Sequence, residues 1–129
     1  MARTPFDKST GPVSRIVQAF GFSMQGLGAA WRHEAAFRLE VALAIVFMPL
    51  AIWLGHGPLE QLLLIGSIGL MLIVELVNSA IEALADAIST DHHPLLGRAK
   101  DLGSAAVLLA TVLALATWVS LLLPRWWPS

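Results

Sequence analysis

Residues 102–124 read LGSAAVLLATVLALATWVSLLLP and contain no Asp, Glu, Lys or Arg over 23 positions. A helix crosses the roughly 30 Å hydrocarbon core of a bilayer with about 20 apolar residues. Two more charge-free runs precede this one, at 41–59 and 61–74. We therefore predict three membrane-spanning helices, at 34–54, 58–80 and 100–122, with the second helix continuing to about 88 before a connection at 89–99.

The composition of the 129-residue chain favours a single membrane domain and argues against several other classes. Hydrophobic residues make up 57% of it and charged residues only 13%, whereas a water-soluble domain usually carries about 25% charged residues. The net charge of −1 provides no basic field for nucleic acid. The absence of cysteine excludes disulfides, thiolate metal sites and cysteine nucleophiles.

A different kind of helix is predicted before the first span, at residues 13–31, after a polar tail at 1–12. Its apolar residues recur with helical spacing and fall on one stripe. Such a stripe is typical of a helix that lies in the headgroup layer of the inner leaflet. Phe22 stands on the opposite, polar face, which suggests a role in stacking. The stripe consists of Val13, Ile16, Val17, Phe20, Met24, Leu27 and Trp31.

Lysine and arginine are distributed unequally between the two ends of the predicted spans. Seven of the eight lie before or at the start of the first span or in the second connection, and only Arg125 lies in the C-terminal tail. The positive-inside rule therefore places the N-terminus and the second connection in the cytoplasm and the C-terminus outside. Trp53, Trp118, Trp126 and Trp127 lie toward the opposite ends of spans one and three, as expected of an aromatic belt at the outer interface.

The inner end of the second span carries a row of polar side chains in ELVNSAIE, residues 75–82, followed by Asp86. Glu75, Asn78, Glu82 and Asp86 are three or four residues apart and share one helix face. Glu75 lies about 25 Å into the span at 1.5 Å per residue, just below the inner interface. Repulsion and burial of these acids require a compensating ion, and Mg²⁺ prefers carboxylate oxygens.

Two other polar groups begin the remaining spans on the same side of the membrane. Arg98, Lys100, Asp101 and Ser104 open the third span, and Glu34 opens the first. Acids for a metal ion together with a lysine for phosphate are what phosphoryl transfer requires. The chain has no Walker-type GxxxxGK[ST] motif and no kinase glycine loop, so a nucleotide site here must be built differently. Three spans alone are expected to leave the acid row facing lipid, so that other subunits must cover it.

The motifs resemble those of the small prokaryotic diacylglycerol kinases, which are integral membrane enzymes. ELVNSAIE at 75–82, GRAKDLGSAAV at 97–107 and AAWRHEAAFRLE at 29–40 agree in order and spacing over most of the chain. The resemblance implies an all-α integral membrane fold, assembled as a homotrimer of three-span subunits, each with an amphipathic surface helix. It also implies transfer of the γ-phosphate of MgATP to the hydroxyl of diacylglycerol, giving phosphatidic acid, in the bacterial inner membrane.

The resemblance further implies roles for individual residues. Glu75 matches the general base of the family, which accepts the proton of the lipid hydroxyl. Glu34 and Glu82 match metal ligands that also contact ATP through the metal. Positions that contact the nucleotide are matched by Arg15, Phe22, Asp91, His92, His93, Lys100 and Asp101. Asn78 and Ser104 match positions near the reacting groups, and we predict that they contact the lipid together with Trp31 and Trp118, with Asp86 supporting the site.

The chain departs from the family pattern at three places. Leu39 replaces a common glutamine, Gly28 stands where a basic residue is frequent, and residues 91–94 read Asp-His-His-Pro in place of an acid–Tyr–His–acid pattern. These departures concern expected details of lipid and adenine contact. They leave the predicted catalytic set intact.

The residues leave three alternative functions open. An undecaprenol kinase would use the same chemistry on a polyprenol, and the catalytic residues do not separate the two substrates. A small proton-coupled transporter would also carry acids within its spans, but transport requires a site near the midplane with access from both sides. A structural or assembly subunit would not require an acid row able to hold a metal ion.

Overall fold

The computed structural model describes residues 11–126 of the chain, without the side chain of Trp126. Across these residues it contains four α-helices and no strand: α1, Pro12–His33; α2, Ala35–Leu54; α3, Pro58–Ile88; and α4, Pro94–Trp126. The all-helical fold expected from the sequence is confirmed. Most of the polar tail at 1–12, and Trp127 of the expected aromatic belt, lie outside the described residues.

The helices α2, α3 and α4 are each long and apolar enough to cross a membrane. Many of their large apolar side chains are exposed, among them Ile45, Leu62 and Leu109. A helix whose exposed face is as apolar as its buried face is suited to lipid rather than to water. The chain is therefore a multi-pass membrane protein.

The helix boundaries have local causes. Gly57 adopts φ +88° before α3, a conformation that glycine adopts at little steric cost. Pro94 begins α4, where a missing N–H is not needed, and Nδ1 of His93 accepts a hydrogen bond from the backbone N–H of Leu95 at 3.2 Å. Helix α4 therefore starts six residues before the predicted span, inside the segment 89–99 that was assigned to the connection.

Helix α3 packs against both α2 and α4 and is the most buried of the three. Leu64 and Ile68 form the apolar part of its buried face, which continues into polar residues toward its C-terminal half. The buried residues of α4 are small, namely Gly103, Ala110 and Ala114. Small residues allow helix backbones to approach closely in a membrane, where packing and hydrogen bonds drive association.

Trp118 lies between the helices and not in an interfacial belt. Its indole Nε1–H donates to Oγ of Ser67 on α3 at 3.1 Å, and its ring meets that of Phe47 on α2 edge-on, with centroids 5.3 Å apart. Ser67 is nine residues from the start of α3, about 13 Å along the helix. The assignment of Trp118 to the aromatic belt is therefore wrong, because the indole N–H finds its partner within the bundle.

Arg125 ties together the ends of three helices around the first connection. Its guanidinium pairs with the carboxylate of Glu60 on α3 and donates to the backbone carbonyl of Leu54, the last residue of α2, at 2.6 Å. Glu60 also accepts a hydrogen bond from the backbone N–H of His56 at 2.7 Å. The basic residue of the C-terminal tail thus has a structural partner on a side that is otherwise poor in Lys and Arg.

The chain forms two compact units, Met1–Glu34 and Ala35–Ser129. In the first unit, the predicted apolar stripe of α1 is exposed along its whole length, from 41% at Leu27 to 74% at Val13. Arg32 and His33 occupy the last turn, where positive charge suits the helix dipole. An exposed apolar stripe is what a helix lying on a bilayer presents to lipid.

Candidate active site

The polar row predicted on α3 is present, and its burial decreases toward the end of the helix. Glu75 is 4% exposed and Asn78 8% exposed, Glu82 is half-buried and Asp86 is exposed. Nδ2 of Asn78 donates to Oε1 of Glu82 at 3.4 Å. One helix face therefore carries a carboxylate deep among the helices and two more that approach water.

The burial of Glu75 is achieved within a single subunit. We expected the acid row to face lipid unless another subunit covered it, and this expectation is wrong for Glu75. The reason is that α3 is packed against helices on two sides and turns Glu75 toward them. Within the row, Glu82 and Asp86 keep exposed polar surface.

Glu40 on α2 is an acidic residue that the sequence analysis did not place in the site. Its carboxylate interacts electrostatically with that of Glu75. Its Oε2 atom is buried and has no hydrogen-bond partner among the described residues. An acid inside a membrane span is evidence for function in itself, and that signal would have identified Glu40 within the predicted span 34–54.

Glu40 also lines an apolar cavity of about 220 Å³ among α2, α3 and α4. A largely apolar cavity with one carboxylate is suited to an amphiphile, whose polar group meets the acid while its hydrocarbon follows the wall. Glu75 does not line the cavity, but its carboxylate interacts electrostatically with that of Glu40, which does. The other residues that line it are Leu43, Phe47, Ile68, Met71, Thr111, Ala114, Leu115 and Trp118.

Lys100 on α4 is paired with the last residue of the acid row. Its Nζ lies 2.5 Å from Oδ1 of Asp86, and it also interacts electrostatically with Glu82. The ammonium group thus stands beside the two carboxylates of the row that approach water. Asp86 makes a defined contact with Lys100, and its supporting role in the site stays a prediction.

Lys100 also borders a polar cavity of about 320 Å³ at the connection between α3 and α4. The connection is held in shape by Oγ of Ser89, which accepts a hydrogen bond from the backbone N–H of Asp91 at 3.1 Å. The structure thus brings together four of the predicted nucleotide residues, whereas Asp101 is exposed and does not line this cavity. The lining residues are Ser89, Thr90, Asp91, His92, His93, Leu96, Gly97 and Lys100.

Four predicted site residues belong to the first compact unit. Arg15 and Trp31 are exposed, and Phe22 and Glu34 are half-buried. Glu34 follows the last residue of α1 and its backbone N–H donates to the carbonyl of Ala30 at 2.9 Å. Their contacts with nucleotide, metal and lipid stay predictions.

The surroundings of Glu82 fit a magnesium ion that is bound together with phosphate. Within residues 11–126, no group of three or more His, Cys, Asp or Glu side chains is arranged to hold a metal ion by itself. Mg²⁺ in phosphate-transfer sites is usually held by one or two carboxylates, with phosphates and water completing its shell. Glu82 offers one half-buried carboxylate for such an ion, and the ammonium of Lys100, which interacts electrostatically with Glu82, offers positive charge for the phosphate.

The fold and the site define a multi-pass membrane enzyme with a buried carboxylate beside an apolar cavity and a lysine at a polar one. The family model described as prokaryotic diacylglycerol kinase matches residues 21–122. Diacylglycerol kinase of Escherichia coli (strain K12) is 48% identical over 114 residues, which cover 88% of this chain and 93% of that relative. The Pseudomonas aeruginosa PAO1 protein of the same name is 46% identical over 123 residues, covering 95% and 99%. The protein named diacylglycerol kinase in Haemophilus influenzae Rd is 41% identical over 115 residues, covering 89% and 97%.

The chain therefore belongs to the prokaryotic diacylglycerol kinase family. This confirms the family recognised from the three sequence motifs. Membership makes the chain a kinase, an ATP-using enzyme of the bacterial membrane.

Proposed function

We propose that the chain transfers the γ-phosphate of MgATP to the hydroxyl of 1,2-diacylglycerol, giving phosphatidic acid. The observation that carries the proposal is the acid row of α3. At one end of the row is the buried Glu75, which interacts electrostatically with Glu40 at the apolar cavity. At the other end is Asp86, which is paired with Lys100 at the polar cavity. A lipid hydroxyl and a water-soluble nucleotide need two such different surroundings at the ends of one site.

Glu75 acts as the general base. Its carboxylate accepts the proton of the lipid hydroxyl, and the hydroxyl oxygen forms a bond to the γ-phosphorus. The bond from that phosphorus to the oxygen bridging it to the β-phosphate breaks, and ADP leaves. A general base of this kind contributes about 10²–10⁴-fold to the rate.

Lys100 and the connection at 91–93 bind the nucleotide. Lys100 stands at the rim of the polar cavity and exchanges the carboxylate of Asp86 for phosphate oxygens when ATP arrives. Glu82, and Glu34 as the resemblance implies, would hold Mg²⁺. When bound, Mg²⁺ would offset the negative charge of the phosphates. Arg15, Phe22 and Asp101 are proposed as further nucleotide contacts.

The apolar cavity receives part of the lipid substrate. Trp118 lines its wall and Glu40 is its acidic group, so the glycerol portion lies toward Glu40 and Glu75 and the hydrocarbon toward Trp118. Asn78, Ser104 and Trp31 are proposed as further lipid contacts. The cavity opens among membrane-spanning helices, where a lipid arrives without crossing water.

The protein is further proposed to be a homotrimer with its N-terminus, α1 and the 89–93 connection on the cytoplasmic side. The distribution of Lys and Arg supports the orientation. Exposed polar residues near the site support the assembly: Asp101 and Ser104 face outward in one subunit, where a neighbouring subunit would make use of them.

Phosphate transfer from labelled ATP to lipids in mixed micelles tests the proposal. The purified protein should phosphorylate diacylglycerol, and Glu75→Gln should remove most of that activity. Product from undecaprenol alone would assign the polyprenol alternative. Absence of any labelled lipid, with the protein folded, would contradict a lipid kinase and favour the transporter alternative.

A further inference from the structure

We propose that Gly103 is a positioning residue for the active site and acts through the side chain of Asn78. At this point α3 and α4 are so close that a methyl group on Gly103 would overlap Oδ1 of Asn78. The same methyl would lie 3.4 Å from Cγ of Asn78 and 3.6 Å from Cδ1 of Ile81. The carboxamide of Asn78 therefore occupies the space that a side chain at position 103 would fill.

Packing holds the carboxamide of Asn78 more than hydrogen bonding does. Its Nδ2 lies 3.4 Å from Oε1 of Glu82, beyond the usual range of about 2.7–3.2 Å for a strong N–H···O bond. Its Oδ1 is buried and has no hydrogen-bond partner within residues 11–126. Asn78 is only 8% exposed, so its carboxamide has little room to turn. The backbone of Gly103 lies against Oδ1, which leaves Nδ2 directed toward Glu82.

A side chain at position 103 would displace the carboxamide, because the overlapping atom is the far end of a flexible side chain. Asn78 would then no longer donate to Glu82. The inference rests on the proposed function in one respect, namely that Glu82 binds Mg²⁺ together with the nucleotide. Changing a group that orients a metal ligand typically costs about 10–100-fold in metal affinity or activity.

The test measures binding of Mn²⁺, as a spectroscopic substitute for Mg²⁺, by electron paramagnetic resonance. The purified full chain in micelles is given Mn²⁺ and a non-hydrolysable ATP analogue. Gly103→Ala should weaken Mn²⁺ binding by about tenfold and raise KM for MgATP more than it lowers kcat. The helices of this variant should still form, since alanine favours a helix over glycine, so that the loss of Mn²⁺ affinity is measured on folded protein.

Gly69→Ala is the matched control. Gly69 also lies within a membrane-spanning helix, α3, and a methyl group there would meet nothing within 4 Å. This variant should bind Mn²⁺ as the wild type does. Wild-type Mn²⁺ affinity in Gly103→Ala, or an equal loss in Gly69→Ala, would overturn the proposal.

A double variant shows whether the effect passes through Asn78. Asn78→Ala removes the carboxamide, so adding Gly103→Ala should cause no further loss of Mn²⁺ affinity, whereas independent effects would add. If Gly103→Ala alone fails to fold, the double variant should fold, since the overlap is gone; failure of both would overturn the proposal.

The readout needs no lipid, so a wild type that binds Mn²⁺ and nucleotide without phosphorylating diacylglycerol would contradict only the proposed function.

Discussion

Glu75 and Glu82 stand on one face of α3, yet their surroundings suit them to different tasks. Glu75 is buried among helices and interacts electrostatically with a second acid, Glu40, which lines the apolar cavity; this is the side from which the lipid hydroxyl is proposed to reach it. Glu82 is half-buried, interacts electrostatically with Lys100 and accepts a hydrogen bond from Asn78, which suits its proposed place beside the phosphates. The two carboxylates are separated by two turns of helix, about 10 Å along the axis, which is room for a phosphoryl group between lipid and nucleotide.

Glu75→Gln should reduce kcat by about 10²–10⁴-fold, with a much smaller change in KM for MgATP. Glutamine keeps the shape of the side chain and removes the proton acceptor. The measurement is the rate of diacylglycerol phosphorylation in mixed micelles. Leu39→Gln, at an exposed position of α2, serves as control and should leave kcat unchanged. A Glu75→Gln enzyme that kept kcat and only raised KM for ATP would show Glu75 to be a binding residue.

Glu82→Gln should raise the Mg²⁺ concentration needed for half-maximal activity by on the order of tenfold or more. Glutamine has one neutral oxygen in place of the carboxylate, and Mg²⁺ prefers charged oxygen ligands. Titration of activity with Mg²⁺ at fixed ATP measures the effect. Glu60→Gln changes an acid at the opposite end of the same helix and should not alter the Mg²⁺ titration. An unchanged titration in Glu82→Gln would remove Glu82 from the metal site.

The helices differ in how they are held at their two ends. Around the first connection, Arg125 joins Glu60 of α3 to the last carbonyl of α2. Gln61 adds a second link, because its Nε2 donates to the carbonyl of Ile52 at 2.9 Å. At the other end, the pair between α3 and α4 is the more exposed Lys100 and Asp86, whose partners are proposed to change when phosphate binds. The tightly linked end thus holds the helices together, while the other end is the one to which the chemistry is assigned by the proposal.

Arg125→Gln should lower the thermal midpoint of unfolding in micelles without changing KM for MgATP. The substitution removes the charge partner of Glu60 and weakens the donor to the Leu54 carbonyl, both far from Lys100 along α4. Glu60→Gln should lower the thermal midpoint less in the Arg125→Gln background than in the wild type, because the effects of substituting two interacting residues are not additive. Fully additive losses of thermal stability would show that the pair does not contribute as a unit.

The whole molecule extends beyond one chain if the proposed trimer is correct. One subunit already buries Glu75, but it leaves Asp101 and Ser104 exposed. Residues that serve a site yet face outward in one chain are best explained by a site in the neighbouring chain. The proposed trimer would therefore complete the nucleotide end of each site, whereas the buried Glu75 would depend on it less.

A mixture of Glu75→Gln and Asp101→Asn subunits should recover part of the activity that each variant lacks alone. Sites that draw Glu75 from one chain and Asp101 from another are intact in some mixed oligomers. Activity after co-refolding in micelles, with mixed oligomers shown by two affinity tags, measures the recovery. Complete inactivity of mixtures that demonstrably form would place both residues of each site in the same subunit.

Hydrophobic patterning alone was enough to predict four helices, three of them of membrane-spanning length, since charge-free runs of this length leave few other structures in lipid. The three- and four-residue spacing of Glu75, Asn78, Glu82 and Asp86 was enough to place them on one face, because helical geometry is local. The motifs at 29–40, 75–82 and 97–107 were enough to identify the family.

Only the tertiary structure decided which helix faces meet, and so which polar groups are buried together. The electrostatic interaction of Glu40 with Glu75 and the salt bridge of Lys100 with Asp86 involve residues on different helices, for which no sequence spacing exists. The same holds for Trp118, whose apparent place in an interfacial belt was overridden by Ser67 and Phe47 across the bundle. Periodicity determines the face on which a residue lies, whereas rotation and approach of neighbouring helices are set by the small residues and hydrogen bonds between them.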